Sequence, residues 1–216
     1  MKSFIYFVLT STLVTPALAQ QPKTETEIRQ LISQSRSKDL RTSDSAEEAL
    51  SKLDRSSLPV LTSILKKGNP CEQVAVTEYI IGIDPKNTDI VPLMTKVTRG
   101  VSPRTLFHFQ EEMMCRRAAA YVLARSAEGV PVLTLLLREG DTWERQSAVF
   151  ALDDLTETSN YPDGSVPAFK ELIPQLARAA KAKDRTLSCM ADEVLGQIAR
   201  GDNAELAALA KKYVSP

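Results

Sequence analysis

The sequence predicts an all-α chain of about four stacked helix pairs with capping helices at both ends, and three observations predict it. A phrase made of an aliphatic residue, a proline and an apolar run recurs at Leu58-Pro59-Val60-Leu61, Val91-Pro92-Leu93-Met94, Val130-Pro131-Val132-Leu133 and Val166-Pro167-Ala168-Phe169. Its prolines lie 33, 39 and 36 residues apart, a period typical of helical hairpins, which cannot bury an apolar face alone and lean on the next hairpin. The alanine-rich stretches after each phrase also align. Thr77, Ala119, Ala148 and Ala191 form one column, and four residues on stand Ile81, Leu123, Leu152 and Leu195. A small residue lets neighbouring helix backbones approach, and the branched residue one turn later fills the space beside it. The next column, Gly82, Ala124, Asp153 and Gly196, is again mostly small. Helix punctuation is the third observation: Gly68, Gly100 and Gly140 follow three of the proline-led segments, as left-handed C-terminal caps would.

Taken in order, residues 1–19 read as a secretory signal peptide. Lys2 supplies a positive start, Phe4 to Val14 an apolar run, and Ala17-Leu18-Ala19 a small-x-small cleavage site. The run is short for a membrane span and is broken by Thr10, Ser11, Thr12, Thr15 and Pro16, so no span is expected after cleavage and the product is periplasmic or secreted. Losing Lys2 from 27 basic residues leaves one fewer than the 27 acidic ones, a net charge near −1. That balance argues against a nucleic-acid partner, which needs a basic stripe.

Residues 20–56 hold two charged amphipathic helices that suit an N-terminal cap. The first runs from Thr24 to Leu40 around Ile28, Leu31 and Ile32, and the second is capped by Asp44 or Ser45 and runs to about Leu53. The repeats occupy 57–83, 89–126, 128–157 and 165–200. First helices are expected at about 57–67, 88–99, 128–138 and 165–182, each opened by its proline, whose missing N–H costs no intrahelical bond in the first turn. Second helices follow at about 70–82, 103–126, 142–156 and 185–200. Asp141 and Glu144 frame a capping box, and Asp184 holds the column of Asp141. Residues 201–216 supply a closing helix, from Asn203 to Tyr213.

Glu128 to Leu155, EGVPVLTLLLREGDTWERQSAVFALDDL, resembles a HEAT repeat, and 57–83, 89–126 and 165–199 resemble it more loosely. The resemblance implies a right-handed α-solenoid whose second helices line the inner, concave face. It also implies an Asp–Arg ladder between repeats. Asp141 with Arg145 matches that pattern and Glu112 with Arg116 matches approximately, whereas the outer repeats offer Pro70 with Val74 and Asp184 with Ser188.

The function expected of such a chain is an exported, non-catalytic scaffold that holds a protein or peptide along the inner face. The side chains expected to point outward there are Glu78, Arg116, Arg117, Arg145, Asp153 and Asp192. Two insertions depart from the period. Arg104 to Glu112 lengthens the second unit and carries Phe107 and Phe109, which either seal Trp143 in an aromatic cluster or form a recognition patch. Thr158 to Gly164 is a loop whose Pro-Asp-Gly turn leaves Tyr161 as its large contact group.

No cofactor is expected, no enzyme motif is present, and His108 with Glu111 and Glu112 lacks the further ligands that a metal site needs. Cys71 and Cys115 fall in successive second helices, where a disulfide is geometrically allowed but not required; Cys189 reads as buried packing. The HEAT resemblance also admits a lyase or cofactor chaperone similar to the bilin lyases, with His108, Cys115 and Tyr121 as its candidates, or a structural subunit of an envelope complex.

Overall fold

A computed structural model describes residues 23–100, 109–157 and 161–214, and among them there are eleven α-helices and no strand. Two helices, α1 (Glu25–Gln34) and α2 (Leu40–Ser51), precede four pairs: α3 (Leu58–Lys67) with α4 (Pro70–Ile83), α5 (Ile90–Arg99) with α6 (Phe109–Ala124), α7 (Val130–Glu139) with α8 (Thr142–Glu157), and α9 (Val166–Ala179) with α10 (Arg185–Arg200). The chain closes with α11 (Ala204–Ala210). A 3-10 turn, Arg55–Ser57, leads into α3.

Pairing follows the sequence period. Each second helix packs on its own first helix, and α4, α6, α8 and α10 also pack on one another in that order. α1 lies on α3 and α4 at one end, and α11 covers α9 and α10 at the other. No helix among the described residues is long and apolar enough to cross a membrane.

The prolines sit where a helix tolerates them. Pro59, Pro131 and Pro167 occupy the first two positions of α3, α7 and α9, and Pro92 is the third residue of α5, within the turn whose N–H groups have no helical acceptor. Side-chain caps start α1, α4, α8, α10 and α11. Asn69 and Asp141 each accept from the backbone N–H three residues on, while Glu72 and Glu144 accept from the cap's own N–H. Asp184 accepts from the Leu187 N–H at the start of α10, and Asn203 from the Leu206 N–H at the start of α11.

The glycines end helices for a different reason from the expected one. Gly68 and Gly140 have φ of −66° and −69° and Gly100 a φ of 6°, so none supplies a left-handed cap. They allow close approach instead. A Cβ on Gly140 would stand 2.4 Å from the Leu136 carbonyl oxygen and 2.8 Å from Glu144 Cβ, and one on Gly68 would meet Ile64 and Glu72 in the same way. The left-handed glycine is Gly164 in the Pro-Asp-Gly turn, with φ 75°.

The two N-terminal helices also divide elsewhere than expected. α1 ends at Gln34, and α2 begins at Leu40 rather than after Asp44. Serines explain the break: Ser35 Oγ donates to the Ile32 carbonyl, Ser37 Oγ accepts from the Asp39 N–H, and Ser43 Oγ donates back to the Ser35 carbonyl. Such local bonds offer the backbone an alternative to helix.

A continuous aliphatic core runs between the packed helices. It includes Leu61, Ile64, Val76, Ile80, Met94, Leu123, Leu133, Leu152, Phe169, Leu176 and Leu195, and burying each large member contributes roughly 1.5–3 kcal/mol. Thr77, Ala119, Ala148 and Ala191 are all fully buried, as their column requires. The branched column holds at Leu123, Leu152 and Leu195 but fails at Ile81, which is exposed; Ile80 fills the core in its place.

Candidate functional site

Helix α6 packs against α4, α5, α7 and α8, so only a narrow strip of it reaches solvent. Along that strip Met114, Arg117, Tyr121 and Arg125 recur at three- and four-residue steps, which stacks their side chains on one helical face. Met114 is 71% exposed, Arg125 is exposed, and Arg117 and Tyr121 are half-buried. On the neighbouring α8, Phe150 is 41% and Trp143 38% exposed.

Two cation–ring contacts organise the strip. The Arg117 guanidinium carbon lies 4.9 Å from the Phe150 ring centre, reaching from α6 to α8, and that of Arg125, which directly follows α6, lies 5.4 Å from the Tyr121 ring centre. On α4 the register of Tyr121 is held by Tyr79, whose phenol burial pushes above its ordinary pKa, with Glu78 and Glu47 acting in the same direction. Two residues after the small column, the second helices therefore carry Tyr79, Tyr121, Phe150 and Glu193. The aromatic run belongs to the first three pairs. The charges expected to point outward do not include Tyr79, Phe150 or Arg125; the signal in the sequence is this column, two residues beyond the packing residues.

The residues expected to line a binding face divide as follows. Glu78 and Asp192 are exposed, but they stand on α4 and α10, the outer members of a row in which α6 and α8 lie between. Arg117 joins the strip. Arg145 is half-buried and donates from Nε to the Gly140 carbonyl at 2.8 Å, which closes the C-terminal end of α7. Asp153 is half-buried and accepts from Gln197 at 2.9 Å, so it joins α8 to α10 instead of facing a ligand. Gln197 Oε1 accepts in turn from Thr156, and Gln146 donates to Asp184 at 3.2 Å as a second tie between these helices.

Arg116 is not on the surface at all. Only 1% exposed, it pairs with Glu112 at 2.8 Å, and its guanidinium lies where a Cβ on Gly100 would come within 2.9 Å of Nε. The missing side chain of Gly100 makes room for it at the end of α5. Arg116 and Arg145 thus serve the same purpose in successive pairs, each reaching from its second helix to the glycine that ends the first. The ladder expected at Asp141 and Arg145 takes this form, with Asp141 turned to its own helix as the cap.

Cys71 and Cys115 are joined as a disulfide with Cα atoms 5.2 Å apart, tying α4 to α6. That bond removes the Cys115 thiol from any lyase chemistry while it is intact. Cys189 is exposed on α10 and not buried. Tyr161 is half-buried edge-on against Phe169, ring centres 4.9 Å apart, and burial raises its pKa; it is a packing group of the loop rather than a free contact. Phe107 and His108 lie outside the described residues, as do the side chains of Phe109 and Glu111. No group of three or more potential metal ligands occurs among the described residues.

Family models contain no match to this chain. No curated protein matches it either.

Proposed function

We propose that this chain is an exported, non-catalytic protein-binding scaffold, built as a right-handed α-solenoid of four HEAT-like pairs between capping helices. The observation that carries the reading is the strip on α6 and α8, where Met114 is exposed and Trp143 and Phe150 are partly exposed, with Arg117 and Arg125 on the rings of Phe150 and Tyr121. Aromatic residues, Met and Arg are the types enriched at protein interfaces, because they bury much area per rotatable bond and keep a polar handle. A contiguous apolar patch rimmed by charge marks an interaction site more often than a bare surface. Supporting the solenoid is the order of contacts, in which each second helix meets the next along the chain. A short stack offers limited area, so the expected affinity is moderate and concentrated in a few anchors.

The test is capture from the native envelope by the full chain, compared with an Arg125→Glu, Phe150→Ala variant whose circular dichroism matches the parent. The scaffold reading expects one or a few proteins to be captured by the parent and lost by the variant. Capture that survives both substitutions would place the binding surface elsewhere.

A further inference from the structure

Resting on the scaffold reading, we infer the chemistry of the partner: an extended segment with the pattern acid-x-aromatic-x-acid, laid along α6 with one carboxylate on Arg117 and one on Arg125.

Charge comes first. Neither Arg117 nor Arg125 forms an ion pair with a described residue, in contrast to Arg29, Arg116 and Arg138. The Nε of Arg117 is buried and has no hydrogen-bond partner. With Nε enclosed, the terminal N–H groups of Arg117 are the ones left for a planar, two-oxygen acceptor, which a carboxylate supplies.

Spacing comes second. Arg117 and Arg125 are eight residues apart; Arg125 directly follows α6, and its N–H still donates to the Tyr121 carbonyl, so the helical rise of 1.5 Å per residue separates them by about 12 Å. Two residues four apart in an extended chain span about 13 Å, and positions i, i+2 and i+4 point the same way. The middle residue then falls over Tyr121, midway between the arginines, with Phe150 against the first of them. An aromatic side chain there gains ring contacts on both.

Surroundings limit the choice of anion. Glu78 on α4 and Asp192 and Glu193 on α10 are exposed on the outer helices of the row. A polyanion such as a nucleic acid needs a longer basic stripe than two arginines, whereas a segment with only two acids matches the pair.

The experiment is fluorescence anisotropy of the full chain with labelled peptides. One carries Asp-Thr-Phe-Thr-Asp, one the same sequence with both acids changed to Lys, one Thr-Asp-Phe-Asp-Thr, and one a helical peptide with acids eight apart. The first should bind saturably and more weakly as salt rises, the Lys peptide should not bind, and the close-spaced peptide should bind less well. Arg117→Gln with Arg125→Gln should weaken the first about tenfold, the sum of two exposed charge pairs, while Lys66→Gln on α3 leaves it unchanged. Equal binding of the Lys or close-spaced peptide, preference for the helical peptide, displacement by an oligonucleotide at lower concentration, or no saturable binding would overturn the inference. If envelope capture depends on Phe150 and Arg125 but the first peptide does not bind, the scaffold stands and this partner chemistry falls. If capture does not depend on them either, both fall.

Discussion

Arg117 of α6 places its guanidinium carbon 4.9 Å from the centre of the Phe150 ring of α8, across the boundary between two helix pairs. The contact fixes the half-buried arginine in one direction and ties the strip's chemistry to the packing of α6 on α8. A double-mutant cycle with Arg117→Met and Phe150→Leu should give a coupling of about 0.5–1 kcal/mol by chemical denaturation, the usual worth of an exposed cation–ring pair. Additive effects would show that the two side chains do not support each other.

The disulfide should be the largest single contributor outside the core. It links residues 44 apart, and closing a loop of that length restrains the unfolded chain by about 4 kcal/mol. Cys71→Ala with Cys115→Ala, or reduction of the parent, should lower the denaturation midpoint by a corresponding amount. Thiol titration of the unfolded, unreduced protein should find Cys189 alone.

Two glycines should respond to alanine with opposite signs. Gly140→Ala puts a methyl group 2.4 Å from the Leu136 carbonyl oxygen, and relieving that clash should cost about 1–3 kcal/mol. Gly82, on the exposed face of α4, has nothing within 4 Å of an added Cβ, so Gly82→Ala should stabilise by about 0.5–1 kcal/mol. Thermal melts of both variants measure the difference.

Acid should loosen the N-terminal end. Burial works against the Glu72 carboxylate, but the hydrogen bond and charge of Arg29 and the Asn69 N–H outweigh it and hold the carboxyl below its ordinary value. A depressed glutamate contributes its stability above the unfolded pKa of about 4.3 and loses it as pH falls through the lower folded value. Protection factors for amide exchange in α1, taken against the intrinsic rate at each pH, should therefore fall below about pH 4. In Glu72→Gln the protection should already be reduced at neutral pH and depend less on acid.

The helices were largely legible because their signals are local: a proline in the first turn, a capping box at Asp141 and Glu144, a small residue where backbones meet at Ala119 and Ala148. Facing was less legible. Arg116 looks like a surface cation in the sequence, yet α6 is enclosed by four helices, and a pocket left by Gly100 together with Glu112 accommodates the charge. Cys189 fails the other way: Met190 and Ala191 beside it suggest burial, yet Ala191 alone of these is buried and Cys189 is exposed. The Arg117 and Phe150 contact depends on the register between α6 and α8, which no single helix encodes.

The most direct test of the central claim, that the α6 and α8 strip holds a protein partner, is site-specific photo-cross-linking in the native envelope. A photoreactive residue replaces Phe150 in one version and Arg138, exposed on α7, in another. The account predicts a discrete protein adduct from position 150 and none from position 138. Adducts from position 138 alone, or the same adducts from both, would contradict it.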